Sequence, residues 1–163
     1  MPREPAGKSG PPSEKRNKPE RPRDQLGRPL DWGAENQLVL EDFDNLTLEA
    51  NHELARAHAR AGRWFQAHEA WETAWKQAKG SGDAEFFKGL SQMGAGYVHL
   101  LRGNAHGAQT LLRRAASRIA RYPDGHAGVP TTALSARLLD DAAGVEDGDL
   151  MPGPTVWLEP LDV

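Results

Sequence analysis

The sequence predicts an all-α protein: a compact bundle of about five helices in antiparallel hairpins, distantly tetratricopeptide-like, behind a disordered N-terminal arm. Three observations carry this. The body, residues 44–143, is rich in Ala, Leu and Arg and poor in Val, Ile and Thr, a bias toward helix over strand. Its two central segments repeat apolar residues at helical spacing. Gly62 and Gly103 each close one helix and open the next, with Ala67 then matched by Ala108 and Trp71 by Leu112. Only two copies of this repeat exist, so it implies stacked hairpins within one bundle, not a long solenoid.

The elements follow in order. Residues 1–30 hold seven of the twelve prolines and few apolar side chains beyond Leu26 and Leu30. Such a stretch cannot offset the entropy of ordering, so 1–40 is read as a disordered, basic, Pro-rich arm. Within it, Arg23-x-x-x-Gly27-Arg28-Pro29-Leu30 reads as a docking motif or as plain linker. The first helix starts near Asn45 or Thr47, both usable N-caps, shows Leu48 and Leu54 as its apolar stripe, and ends at Gly62. The second runs over 63–79 and stops at Gly80-Ser81-Gly82. Asp83 is placed to cap the third, which reaches Leu101. Asn104 is placed to cap the fourth, over 105–121, and Pro123 and Gly125 end it. A fifth helix spans 131–142 and ends before Gly144, leaving 144–163 as an acidic extended tail in which Trp157 is the expected anchor.

Composition limits function. There is no cysteine, which excludes disulfides and thiolate chemistry and suits a reducing cytoplasm. The N-terminal stretch has charges but no apolar core, so it is not read as a signal peptide. No window approaches a membrane span. Charge is segregated: residues 1–30 carry eight cations against four anions, 31–85 five against eleven, 86–123 six against none, and 124–163 one against eight. Alternating blocks of this kind are expected to neutralise one another within the fold.

The candidate site lies on the two central helices. Trp64, His68, Trp71, Glu72 and Trp75 share one arc of the second, with the tryptophans read as core and Glu69 at the margin. On the third, Phe86, Phe87, Leu90, Tyr97 and Leu101 form an apolar side, opposite Glu85, Gly89, Gln92, Gly96 and His99. Helical glycines cost about 1 kcal/mol each relative to Ala, which suggests close approach of another backbone. A tight hairpin at 80–82 brings His68 beside Gly94, Glu72 toward Leu90 and Gln92, and His99 toward Trp64. A polar seam of His68, Glu69, Glu72, Trp75, Gln92 and His99 follows, whose polar groups must satisfy each other or hold something. His52, His58, His106 and His126 are scattered and expected to be exposed.

The run Ala67-His68-Glu69-x-x-Glu72-x-x-Trp75, then Gly89-Leu90-x-Gln92, then Tyr97-x-His99-x-x-Arg102-Gly103-Asn104-x-x-Gly107-Ala108 resembles the domain of unknown function 309 family. These are small, mostly prokaryotic, all-helical proteins, and the resemblance covers about residues 55–125. It implies a helical bundle and no activity. Trp71 stands where such proteins often have Leu.

The expected role is a cytoplasmic, non-catalytic binding or scaffold module, monomer or homodimer, taking a protein or small-molecule ligand at the seam and using no cofactor. A buried hydrogen-bonded network fixing helix register accounts for the same residues. The alternative is a metal-dependent or general acid–base hydrolase using His68, Glu69, Glu72 and His99, with His68, Glu72 and His99 as metal ligands. No nucleophile motif or phosphate loop accompanies them. A third reading places nucleic acid on Arg113, Arg114, Arg118 and Arg121 of the fourth helix. The chain's net charge of −3 and the lack of a base-reading motif weigh against it.

Overall fold

In the computed structural model, which describes residues 19–163, five helices follow one another: α1 (Leu48–Arg60), α2 (Trp64–Gln77), α3 (Ala84–Leu101), α4 (Ala105–Ile119) and α5 (Thr131–Asp147). The described residues contain no strand, only an isolated bridge between Arg23 and Pro29. The extensive helix–helix interfaces join sequence neighbours, α1 with α2, α2 with α3, α3 with α4 and α4 with α5. Short Gly-containing turns between antiparallel helices produce this order. It is the expected compact, all-α bundle of hairpins.

Helix α3 is the central member, apolar on most sides because α2 and α4 both cover it. Trp71, Phe86, Leu90, Tyr97, Leu112, Ile119 and Leu138 are fully buried. Each such side chain contributes on the order of 1.5–3 kcal/mol of burial. Trp64 stacks on Tyr97 with centroids 4.4 Å apart, and the Tyr97 hydroxyl donates to Asp141 at 2.6 Å, tying α3 to α5.

Thr47 and Asn104 cap α1 and α4 as expected, accepting from the amides of Ala50 and Gly107. Asp83 makes no cap hydrogen bond and instead takes His126 at 2.9 Å. Helix α5 continues past Gly144 and ends only at Gly148, whose φ of +82° closes it, because the flanking Ala142 and Val145 both have core to fill. The buried stripe of α1 is Asn51, His52, Ala55, His58 and Ala59, while Leu48 and Leu54 sit at its edge. Polar side chains form this stripe because each finds a partner, such as Asn51 donating to the Phe43 carbonyl at 2.9 Å.

The two flanking segments depart from expectation. Residues 1–18 of the expected arm lie outside the described residues. Residues 19–40 fold as a hook against α2 and α3, though composition suggested disorder. Its order comes from local polar bonds: the Asp24 carboxylate accepts from the amides of Leu26 and Arg28 at 2.9 and 2.8 Å, and Leu30 donates to the Pro22 carbonyl at 2.8 Å. Gly27, at φ +75°, lies flat on the Phe65 ring, where any Cβ would overlap it. Arg102 donates to the Leu26 carbonyl. The tail also returns to the body, but Trp157 is not its anchor. Trp157 is 73% exposed, while Leu161 and Val163 are buried and Arg60 donates to the Val163 carbonyl at 2.7 Å. Alternation along an extended segment turns Trp157 outward when its half-buried neighbours Val156 and Leu158 turn inward.

Candidate functional site

The hairpin register pairs His68 with Gly94 as expected. A Cβ on Gly94 would lie 2.9 Å from the Cα of His68, so α2 and α3 touch backbone to backbone there. The His68 Nδ1 lies 2.9 Å from the Ser91 carbonyl. A carbonyl only accepts, so Nδ1 carries the proton, and the Ser91 hydroxyl sits beside the same nitrogen at 3.1 Å. In the neutral ring the other nitrogen, Nε2, presents a lone pair toward α2's own acidic residues. It is 3.5 Å from a Glu72 oxygen and 4.0 Å from a Glu69 oxygen. One ligand-type atom from each of the three residues falls within 4.8 Å of the others. Lys76 holds the second Glu72 oxygen at 3.2 Å.

Glu69 is therefore part of the cluster and not merely its margin. The cluster is half-buried, with side-chain exposures of 24% for His68 and 32% for Glu72. It is open to solvent and is not a closed internal network.

His99 does not join these three. The Asn104 carbonyl oxygen is committed to capping α4 through Gly107, so its amide nitrogen donates to His99 Nδ1 at 2.9 Å. A neutral His99 consequently carries its proton on Nε2. Burial, with Arg102 and His68 nearby, holds this ring below the usual histidine range. Gln92 is half-buried, with its Oε1 shielded and without a hydrogen-bond partner. Trp75 packs at the core edge, with Lys79 and Lys88 over its ring at 5.4 and 5.2 Å. The glycines of α3 serve two interfaces: Gly94 meets α2, whereas Gly89 and Gly96 meet Arg118 and Leu112 of α4. The single polar face drawn from the sequence is thus split between neighbours.

Next to the cluster lies a cleft of about 960 Å³ between the hook and α2. Arg21, Arg23, Asn36, Val39, Phe65 and Glu69 are among the residues that line it. Glu69 belongs to both cleft and cluster. The Arg-x-x-x-Gly-Arg-Pro-Leu motif forms the hook's turn, with Arg23 donating to the Gly27 carbonyl at 3.0 Å.

The arginine face of α4 is partly neutralised. Arg113 pairs with Glu146, and Arg118 with Glu85 at 3.0 Å, linking the basic block to the acidic blocks on either side. Arg114 and Arg121 are exposed.

Sequence reasoning missed three histidines expected to be exposed. His52 is buried, accepting from Trp71 Nε1 at 3.1 Å and donating to the Ala127 carbonyl at 2.9 Å. His58 is buried, accepting from Arg63 at 2.8 Å and donating to Glu41 at 2.9 Å. His126 is half-buried against Asp83 and the Phe86 ring. His106 is exposed, as expected. The one sequence signal for the first two was their position on the α1 face that also carries Asn51, Ala55 and Ala59.

Among the described residues, no helix is long and apolar enough to cross a membrane. No curated protein and no solved structure matches the chain. Residues 53–111, from within α1 into α4, match the family model described as a domain of unknown function (DUF309), which is the family the sequence resembles.

Proposed function

We propose that this protein is a non-catalytic binding module of a prokaryotic cytoplasm, and that its site is the cleft between the hook and α2 together with the adjoining His68–Glu69–Glu72 corner. The observation that carries the reading is Glu69, whose carboxylate lines the cleft and also converges on His68. The cleft combines apolar surface from Val39 and Phe65 with guanidinium, amide and carboxylate groups. Its lining is more polar than apolar, so it suits a small polar or charged ligand that these groups orient beside the Phe65 ring. The neutralised Arg113 and Arg118 favour such a ligand over nucleic acid.

Isotope-labelled protein titrated with a library of small carboxylic acids, amines and short peptides tests this. Resonances of Asn36, Phe65 and Glu69 are expected to shift together and saturably. Shifts confined to Arg114 and Arg121, or no saturable shift anywhere, would remove the reading.

A further inference from the structure

We infer that His68, Glu69 and Glu72 form a binding site for a divalent first-row transition cation at the edge of the cleft. The inference rests on the reading of this corner as a binding site and names the chemistry of what it holds.

The argument begins with the proton on His68 Nδ1. The Ser91 carbonyl keeps it there, so in the neutral ring the lone pair of Nε2 faces two carboxylates. With the ring neutral, three electron-rich atoms meet in one place and repel one another unless a positive centre, a proton on Nε2 or a bound cation, lies between them. A backbone carbonyl behind the distal ring nitrogen is also the arrangement that orients metal-binding imidazoles. Lys76 does not supply the missing charge between the three groups, because it engages the outer oxygen of Glu72.

The distances suit a small cation. Ligand bonds of about 2.1 Å in a tetrahedron place neighbouring ligand atoms about 3.4 Å apart. The His68–Glu72 separation of 3.5 Å already meets this, and the His68–Glu69 separation of 4.0 Å closes with a small rotation of a partly exposed glutamate. One imidazole among the donors favours a transition cation over Mg²⁺ or Ca²⁺, which take oxygen ligands. Three protein donors leave at least one position open, and Glu69 turns that position toward the cleft. His99 is excluded from the set, because its Nδ1 is occupied by Asn104 and the proton resides on its Nε2.

The experiment uses the full chain, stripped with a chelator and titrated with Co²⁺ while visible absorption is recorded. A d–d band saturating at one cobalt per chain and displaced by Zn²⁺ is expected. Glu69→Gln and Glu72→Gln should each weaken cobalt binding by about tenfold or more, and His68→Asn should abolish the band. His99→Ala should leave it unchanged. Glu69 is exposed enough that circular dichroism of Glu69→Gln will report a folded protein, so loss of binding there cannot be loss of fold. Absence of a saturable band in the parent protein, a band indifferent to Glu69→Gln, or a band lost in His99→Ala would each overturn the assignment. Cobalt-free protein whose Asn36 and Phe65 resonances still respond to the small-ligand library would overturn the cation site and leave the cleft reading standing.

Discussion

The indole N–H of Trp71 donates to Nδ1 of His52 at 3.1 Å, deep between α1 and α2. His52 Nε2 in turn donates to the Ala127 carbonyl. Both ring nitrogens are committed in the neutral form, and a proton on Nδ1 would collide with the indole donor. Replacing Trp71 with Phe should cost about 1–3 kcal/mol, since it leaves a buried acceptor without its donor. Urea unfolding at neutral pH measures this, and a cost near zero would show that the bond contributes nothing net.

The same geometry gives stability a pH dependence of definite sign. Burial is the largest influence on His52 and holds its pKa below the ordinary value of 6.5. As pH falls below about 6.5, the unfolded chain takes up a proton that the folded chain refuses, so the unfolding free energy falls with it. The contribution is fully present above that pH, and its decline ends at the lower folded pKa. His99, also held low, acts in the same direction. Unfolding midpoints of parent and His52→Gln between pH 8 and pH 5, a window of about one to two units either side of the free histidine value, should converge as pH falls. Parallel curves would count against the account.

Gly94 should tolerate alanine less well than Gly96. Alanine in a helix gains about 1 kcal/mol over glycine. At Gly94 the added methyl meets backbone of His68 at 2.9–3.0 Å, which cannot swing away, so overpacking of about 1–3 kcal/mol outweighs the gain. At Gly96 the closest atoms belong to the Leu112 side chain, with backbone no nearer than 3.3 Å, so more of the contact is relieved by side-chain adjustment than at Gly94. Thermal unfolding should rank Gly94→Ala below both Gly96→Ala and the parent.

Glu72→Ala should be mild. Reading the His68–Glu72 pair as buried leads to a cost of about 1–3 kcal/mol. Exposures of 24% and 32% place it in solvent-screened surroundings, where such pairs contribute about 0–1 kcal/mol. A double-mutant cycle with His68→Ala checks the coupling, and a value above about 2 kcal/mol would restore the buried-pair picture.

Gly27→Ala should release the hook without melting the helices. The substitution introduces strain at φ +75° and drives a methyl into the Phe65 ring. Limited trypsinolysis is expected to cut sooner after Arg23, the hook arginine that no proline follows, while helical circular dichroism is unchanged. Unchanged cleavage would mean that the hook is not held by this contact.

The helices were legible because their boundaries rest on local chemistry: the Thr47 and Asn104 caps, the breaks at Gly62 and Gly103, and the tryptophan-rich stripe of α2. The hairpin register was legible too, since a short turn at 80–82 leaves little freedom in pairing His68 with Gly94. What escaped was tertiary. The hook is held by Asp24 and Gly27 through polar bonds and one ring contact, which hydropathy does not register. His52 and His58 look like surface residues until Trp71, Ala127, Arg63 and Glu41 arrive from distant positions. In the seam, helical angles alone could not tell that Asn104 claims His99 or that the Glu69 side chain bends back toward His68.

The return of residues 150–163 across the body has a kinetic consequence. Interfaces between consecutive helices need only short-range closure and can assemble in rapid succession. The Arg60–Val163 contact spans 103 positions, so closing it demands a large loss of chain freedom. It should form last and part first. Momentary undocking of that strap would uncover the C-terminal end of α1 while α2–α4 stay intact, making it the point at which native-state hydrogen exchange begins.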